Sequence, residues 1–393
     1  MQRASVILLT DRRDRSRALA DAVRSVSACR IVGLDEPLFC FEPVVGVIAD
    51  IDLDRAGAKQ ILTTLVDVRQ APRMPVIVLS RSSGDAALRR ATRLGATACF
   101  SELTEAGTIV AALFQQIDPS KTMVDRLVEH SVARTGMLLG DMLGAARSGV
   151  IDPNGIEDGI DPVVDAMRDG GLRRWLDVVA AHDGSTLRHC LLVAGLAAHF
   201  ALHLGFSARD RATLVRAGLV HDVGKVCIPP AILNKPGPLD PDELATIRMH
   251  PVAGHAILLA SGLSDPTTLA ATRHHHEMLD GSGYPDGLTG EQIGDAVRLL
   301  TICDIAAALI EKRPYRSPMS LADALVVLRK MAGRGLDAAL VEAFAASVAA
   351  VDGLPAMGPG LAPAMRQGPG TDAEFGRGIM VTSANAQAAD RAG

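Results

Sequence analysis

The sequence predicts two domains, an N-terminal α/β doubly wound domain followed by an all-α domain, and three observations predict it. Short β-branched runs alternate with helix-like stretches through roughly residues 1–118. From Trp175 to about Val351 the periodicity is helical almost throughout. Ten of the eleven histidines fall between His182 and His276, inside that second region. A chain of 393 residues is also longer than one compact domain of ordinary size.

The strands come first. Val6–Leu9, Val44–Ala49 and Val76–Leu79 are short, β-branched and bounded by Thr10, Asp50 and Ser80, which is how buried parallel strands read. Helix-like segments at Ser16–Val26 and Ala56–Val68 lie between them, so the sheet is predicted to carry helices on both faces. Residues 119–164 read as a helical connector. Breaks are expected at Asp152-Pro153-Asn154-Gly155 and, just beyond the connector, at Asp169-Gly170-Gly171. The helical domain is expected over 165–352. The Pro/Gly-rich tail, 353–393, lacks apolar periodicity and reads as disordered.

Composition narrows the partners. A formal net charge of −5 gives no support for a nucleic-acid polymer, which needs clustered lysine and arginine. Six scattered cysteines with no C-x-x-C pair exclude a zinc ribbon and a disulfide framework, and fit a reducing cytoplasm. The apolar run at Val6–Leu9 meets Asp11-Arg12-Arg13 at once, so no signal peptide is expected. No uninterrupted apolar stretch has bilayer length, so no membrane partner is expected either.

In open parallel sheets, ligands gather at the carboxyl ends of the strands. Here those ends carry Asp11, Asp50 or Asp52, and Ser80. This constellation resembles the receiver domain of two-component response regulators. The resemblance implies a phospho-accepting Asp50 and a sensor kinase or other signalling protein as partner. Two positions depart from that family: Arg12 stands where a second magnesium acid is expected, and Glu102 where a lysine belongs. Both changes weaken phosphoryl binding, so the receiver-like domain is expected to be degenerate. The connector helices are a candidate homodimer contact.

The histidine-rich region centres on Val220-His221-Asp222-Val223-Gly224-Lys225, at the end of an apolar helix that Gly224 is expected to close. Ser207 and Asp210 offer a capping box for that helix, and Leu214, Val215, Ala217 and Leu219 its buried side. His189 shares a helix face with Leu192, Val193 and Leu196. His250 follows a helix opened by Asp240-Pro241-Asp242-Glu243. His275 and His276 precede Glu277, and Asp304 follows the apolar run Val297–Cys303. Brought together, these imidazoles and carboxylates suit iron or manganese, with zinc or nickel as alternatives, and disfavour calcium.

His221-Asp222 with Gly224-Lys225, His275-His276-Glu277, Asp280-Gly281-Ser282-Gly283-Tyr284-Pro285 and Arg313-Pro314-Tyr315 are similar, in order and spacing, to the HD-GYP domain of the HD phosphohydrolases. The resemblance covers roughly residues 165–352. It implies an all-helical fold and a cyclic di-GMP phosphodiesterase of bacterial signalling, giving pGpG and/or GMP. It also implies two divalent ions that activate a water. His189, His221, Asp222 and Asp304 would hold one ion; Asp222, His250, His275 and His276 would hold the other. Lys225 would stabilise phosphate charge beside the bridging Asp222, while Tyr284 and Arg313 would bind substrate. Ser185 stands where three-ion members carry a glutamate, and Ala307 where a further aspartate is usual, so two ions are expected rather than three. His182, His199, His203, His255 and His274 match no ligand position. Rival readings are an HD phosphohydrolase acting on another nucleotide, and a non-catalytic signalling adaptor with an intact fold.

Overall fold

A computed structural model describes residues 5–351, apart from 15, 35, 37–42, 54, 56, 58–59, 62–63, 65–73, 82–84, 183, 313–317 and 350. Arg313, most of the helix expected at Ala56–Val68, and the tail from 353 lie outside the described residues. The chain divides into two compact units after Ser131.

The first unit is built on β1 (Ser5–Thr10), β2 (Ala28–Gly33), β3 (Val44–Asp50), β4 (Val76–Ser80) and β5 (Ala98–Ser101). All strands are parallel, in the order β2-β1-β3-β4-β5. This is a doubly wound order, with its switch point between β1 and β3. Alternation along each strand explains the unbroken apolar runs. Val6, Leu8, Ile48, Ile77 and Leu79 pack under α1 (Arg17–Arg24) and α3 (Ala106–Ile117). Ile7, Leu9, Val47, Ala49, Val76 and Val78 face the other way, towards Ala91 of α2 (Asp85–Arg93). Both faces are covered, so neither can be polar.

Helix α4 (Met123–Ala146) crosses the boundary, and α5 (Pro153–Asp165) lies wholly in the second unit. Helix α5 packs within the second unit: Gly159 lets Leu219 approach closely, and Thr135 of α4 donates to the Gly159 carbonyl at 3.4 Å. The break before α5 is real, with Asp152 capping the helix through the Asn154 N–H. A π-helical turn at Ala166–Gly170 then leads into α6 (Gly171–Ala180).

The functional residues sit on the later elements of the second unit. These are α7 (Ser185–His203), α8 (Ala208–Val220), a 3-10 turn (Val223–Cys227), α9 (Pro230–Leu233), α10 (Pro241–Arg248), α11 (His250–Ala260), α12 (Pro266–His274), α13 (Asp295–Ile310), α14 (Leu321–Met331) and α15 (Ala338–Ala349). Helix α7 is the centre of the unit and is buried along most of its length. Among the described residues it alone is long and apolar enough to cross a membrane. The arginine and histidines that punctuate it hide that length from a search for unbroken apolar runs. Its neighbours here are other helices: Trp175 lies against Gly195 and donates to the Leu191 carbonyl at 3.0 Å.

Candidate metal centre

Helices from across the second unit bring seven side chains to one buried point. His189 comes from α7, His221 and Asp222 from the end of α8, and His250 from the start of α11. His275 and His276 follow α12, and Asp304 lies on α13. All seven are buried, at 6 % exposure or less. Burying so many ionisable groups is costly unless they share charge.

Local sequence explains the placement. Ser207 caps α8 by accepting the Asp210 N–H, while the Asp210 carboxylate takes the Ser207 hydroxyl at 2.7 Å and closes no full capping box. Asp240 and Glu243 form a full capping box that opens α10. Helix α8 ends at Val220 and the chain tightens into the 3-10 turn, so Gly224 does not terminate the helix as expected. Its reason is close approach: a Cβ there would sit 2.0 Å from the His250 carbonyl oxygen. Gly283 is fixed similarly, since a Cβ would meet the Glu277 Cα at 2.5 Å. Glu277, buried beneath that loop, accepts the N–H groups of Asp286, Gly287 and Leu288 at 2.7, 3.1 and 3.0 Å.

Three of the imidazoles are oriented alike. Nδ1 of His221, His250 and His275 lies 2.9, 2.8 and 2.9 Å from the carbonyls of Gly218, Ile247 and Thr272. A carbonyl only accepts, so each Nδ1 carries the proton and each Nε2 presents a lone pair inward. Nε2 of His250 and Nε2 of His275 then face each other at 3.3 Å, with Asp222 Oδ1 3.2 Å from the former. Two lone pairs that close repel unless a cation lies between them. Among the described residues, His221 Nε2 and Asp222 Oδ1 are buried with no hydrogen-bond partner. These orphaned acceptors fit divalent metal.

The ligand atoms form overlapping groups: His189, His221 and Asp304; His221, Asp222 and His275; His250, His275 and His276, each within 4.8 Å. Asp222 Oδ2 lies 3.5 Å from His221 and 3.7 Å from His189, while Oδ1 faces His250. The aspartate therefore stands between the two ends of the cluster.

Charge follows geometry. Burial pushes His189 down, but hydrogen bonding to Asp304 at 2.8 Å and Glu311 beside its other nitrogen carry it up to about 9. Burial, then the neighbouring imidazoles, drive His275 and His276 down, His276 to about 3 despite the opposing pull of Asp304. Both rings are held neutral and ready to coordinate. For Asp222 and Asp304 burial acts upward, yet Lys225 and the imidazoles win, and both carboxylates stay ionised.

Lys225 is buried and its ammonium donates to Asp222 Oδ2 at 2.5 Å, so it reaches this carboxylate rather than a free surface. Tyr284 is only 9 % exposed; its ring lies 4.8 Å from His276 at 31°. That packing steadies His276 and leaves little ring face for a base. His274 pairs outward with Asp286 at 2.8 Å, and His199 meets the Ser347 carbonyl, so neither joins the cluster.

Sequence reasoning misses Glu311 and Arg248. Glu311 Oε2 sits 3.6 Å from His189 Nδ1, while Oε1 accepts from Arg188 at 3.2 Å. Its signal was available: seven residues after Asp304, it begins the turn beyond α13 on the same face. Arg248, two residues before His250, lies 5.3 Å over the Tyr284 ring.

Comparison with known proteins agrees with this geometry. Residues 174–340 match the HD domain family. The chain is 37 % identical over 178 residues to the cyclic di-GMP phosphodiesterase response regulator RpfG of Xanthomonas campestris pv. campestris (strain 8004), covering 44 % of this chain and 46 % of that protein. It is 39 % identical over 154 residues to 3'3'-cGAMP-specific phosphodiesterase 1 of Vibrio cholerae serotype O1, covering 39 % and 35 %. It is 31 % identical over 219 residues to the cyclic di-GMP phosphodiesterase PA4108 of Pseudomonas aeruginosa, covering 54 % and 52 %. The chain thus spans about half or less of the length of these curated relatives. The matched residues 174–340 contain the Gly281-Ser282-Gly283-Tyr284-Pro285 segment on which the resemblance to the HD-GYP subgroup rests.

Proposed function

We propose that this chain is a metal-dependent phosphodiesterase of bacterial second-messenger signalling that hydrolyses cyclic di-GMP. The observation that carries the reading is the inward-facing His250 and His275 Nε2 pair at 3.3 Å beside Asp222, an arrangement that calls for a shared cation. The names of the relatives supply the substrate class. Because one of them is named as specific for 3'3'-cGAMP, that mixed cyclic dinucleotide is the second reading.

Two divalent ions are the occupancy we assign, held by His189, His221, Asp222 and Asp304 on one side and Asp222, His250, His275 and His276 on the other. Bound there, such ions supply Lewis acidity towards a phosphodiester oxygen and acidify water. The chain's own residues do the rest. The three backbone carbonyls keep each Nδ1 protonated and each Nε2 available. Thr301 on α13 donates to the His275 carbonyl at 3.0 Å and fixes that ring's main chain. Lys225 holds one Asp222 oxygen, and its positive charge beside the cluster would favour negative charge developing on the phosphoryl oxygens. We read the N-terminal unit as receiver-like on its strand order, which points to another signalling protein as its partner.

The test is product chromatography on a panel of cyclic di-GMP, 3'3'-cGAMP and linear nucleotides, with manganese- or ferrous-loaded protein. Turnover of cyclic di-GMP, falling at least a hundredfold in Asp222→Ala, is the expected result. Equal rates for the two proteins contradict the assignment, and faster turnover of 3'3'-cGAMP selects the second reading.

A further inference from the structure

The carboxyl edge of the parallel sheet gathers Asp11 after β1, Asp50 at the end of β3, Ser80 and Arg81 at the end of β4, and Glu102 after β5. In a sheet of this order it is the edge that receives ligands. An acidic pair there would take a hard divalent cation through oxygen. Arg81 already stands in that place. Its Nη1 donates to Asp11 Oδ2 at 3.1 Å, and its Nη2 donates to Asp11 Oδ1. The same Nη2 lies 3.9 Å from Asp50 Oδ1, and Nε lies 3.9 Å from Glu102 Oε2.

The surroundings reinforce it. Asp11 Oδ2 also accepts the Asp52 N–H at 3.1 Å, so both of its oxygens are engaged. Arg12 lies 3.4 Å from Glu102, and Arg55 lies 3.9 Å from Asp11. Three guanidinium groups therefore face three carboxylates. The Arg81 side chain is only 17 % exposed and that of Asp11 4 %, which keeps water from screening the pair. A planar fork gripping a carboxylate by two prongs is the strongest form of such a contact. A magnesium ion would have to displace it beside two further positive charges. Magnesium does not fit this pocket as it stands.

We propose that Arg81 is a built-in cation that closes the acidic pocket of the N-terminal unit, so that the unit takes neither a divalent ion nor a phosphoryl group at Asp50. Asp50 is then an internal partner of the clasp, and the state of the unit does not depend on phosphorylation. Arg81 follows Ser80 immediately, yet nothing in a linear reading pairs it with Asp11, seventy positions earlier.

The experiment uses the full chain. Wild type and Arg81→Ala are incubated with magnesium and acetyl phosphate, and intact mass is read before and after acid quenching. Manganese per chain is counted in parallel by equilibrium dialysis, with the ions of the helical unit as the common baseline. We expect no phosphoryl adduct on wild type. We also expect Arg81→Ala to bind one more manganese than wild type, and the extra ion to vanish when Asp11→Asn is added. Hydrogen exchange across β1 and β4 verifies that the variants remain folded. An adduct on wild-type Asp50 overturns the proposal, as does a wild-type ion lost in Asp11→Asn; neither arm depends on a variant of Arg81. A folded Arg81→Ala with no additional ion also overturns it, because something other than Arg81 would then close the pocket.

Discussion

His189 meets a carboxylate at each ring nitrogen, Asp304 at 2.8 Å on Nε2 and Glu311 at 3.6 Å on Nδ1. In the metal-free protein this holds a proton on the ring up to about pH 9, while His275 and His276 stay neutral. The folded value is raised above the ordinary 6.5, so the stabilisation is complete below pH 6.5 and lost as pH rises through about 9. Metal must displace that proton. Calorimetry at pH 7.5 in buffers of different ionisation enthalpy should therefore show proton release on metal binding, and affinity should rise with pH towards 9. A Glu311→Gln variant removes the carboxylate behind His189. It is expected to weaken metal binding by roughly tenfold to a hundredfold, the range for losing such a supporting partner. Unchanged affinity would show that Glu311 has no part in holding the ring. The spacing of Glu311 from Asp304 marks its helical face in the sequence, but its contact with His189 joins residues far apart in the chain and is not readable there.

At the scale of elements, the site depends on how closely the 3-10 turn at Val223–Cys227 approaches α11. Gly224 permits that approach, since its missing Cβ would fall 2.0 Å from the His250 carbonyl oxygen and 2.4 Å from the Gly254 nitrogen. Backbone cannot yield as a flexible side chain can. Gly224→Ala is predicted to cost about 1–3 kcal/mol, the usual scale for overpacking, and to lower metal affinity by moving His250 away from Asp222. Thermal unfolding of the metal-free protein reads the first effect and metal titration the second. The helices here were legible from their caps and periodicity: Asp240 with Glu243 opens α10, and Leu214, Val215, Ala217 and Leu219 are buried as expected. The role of Gly224 was not legible, because a helix-ending glycine and a glycine pressed against a neighbouring backbone look the same in sequence.

At the scale of the whole molecule, each unit buries its own apolar core, and among the described residues the histidine clusters lie in the helical one. The α/β and all-α architectures were readable because buried parallel strands and packed helices leave different apolar periods. The boundary was less readable, since α4 and α5 carry the same amphipathic signal whether they link units or pack within one. The HD motif was the clearest signal because its ligands come in short local clusters. The Arg81 clasp was hidden because sheet order, not sequence proximity, brings Asp11, Asp50 and Arg81 together. Chelation should therefore act on one unit only. At a free-metal concentration a hundredfold above Kd, the helical unit gains about 2.7 kcal/mol, and stripping the metal removes it. Hydrogen exchange should accelerate in α7, α8 and α11–α13 and stay unchanged in β1–β5.

The most direct test of the metal-centre account is a metal titration of stripped protein, with bound ions counted and cyclic di-GMP turnover followed in the same samples. The account predicts that turnover rises with occupancy to two ions per chain, and that Asp222→Ala neither fills nor turns over. Full turnover by protein shown to hold no metal, or a filled centre without turnover of any cyclic dinucleotide, would contradict it.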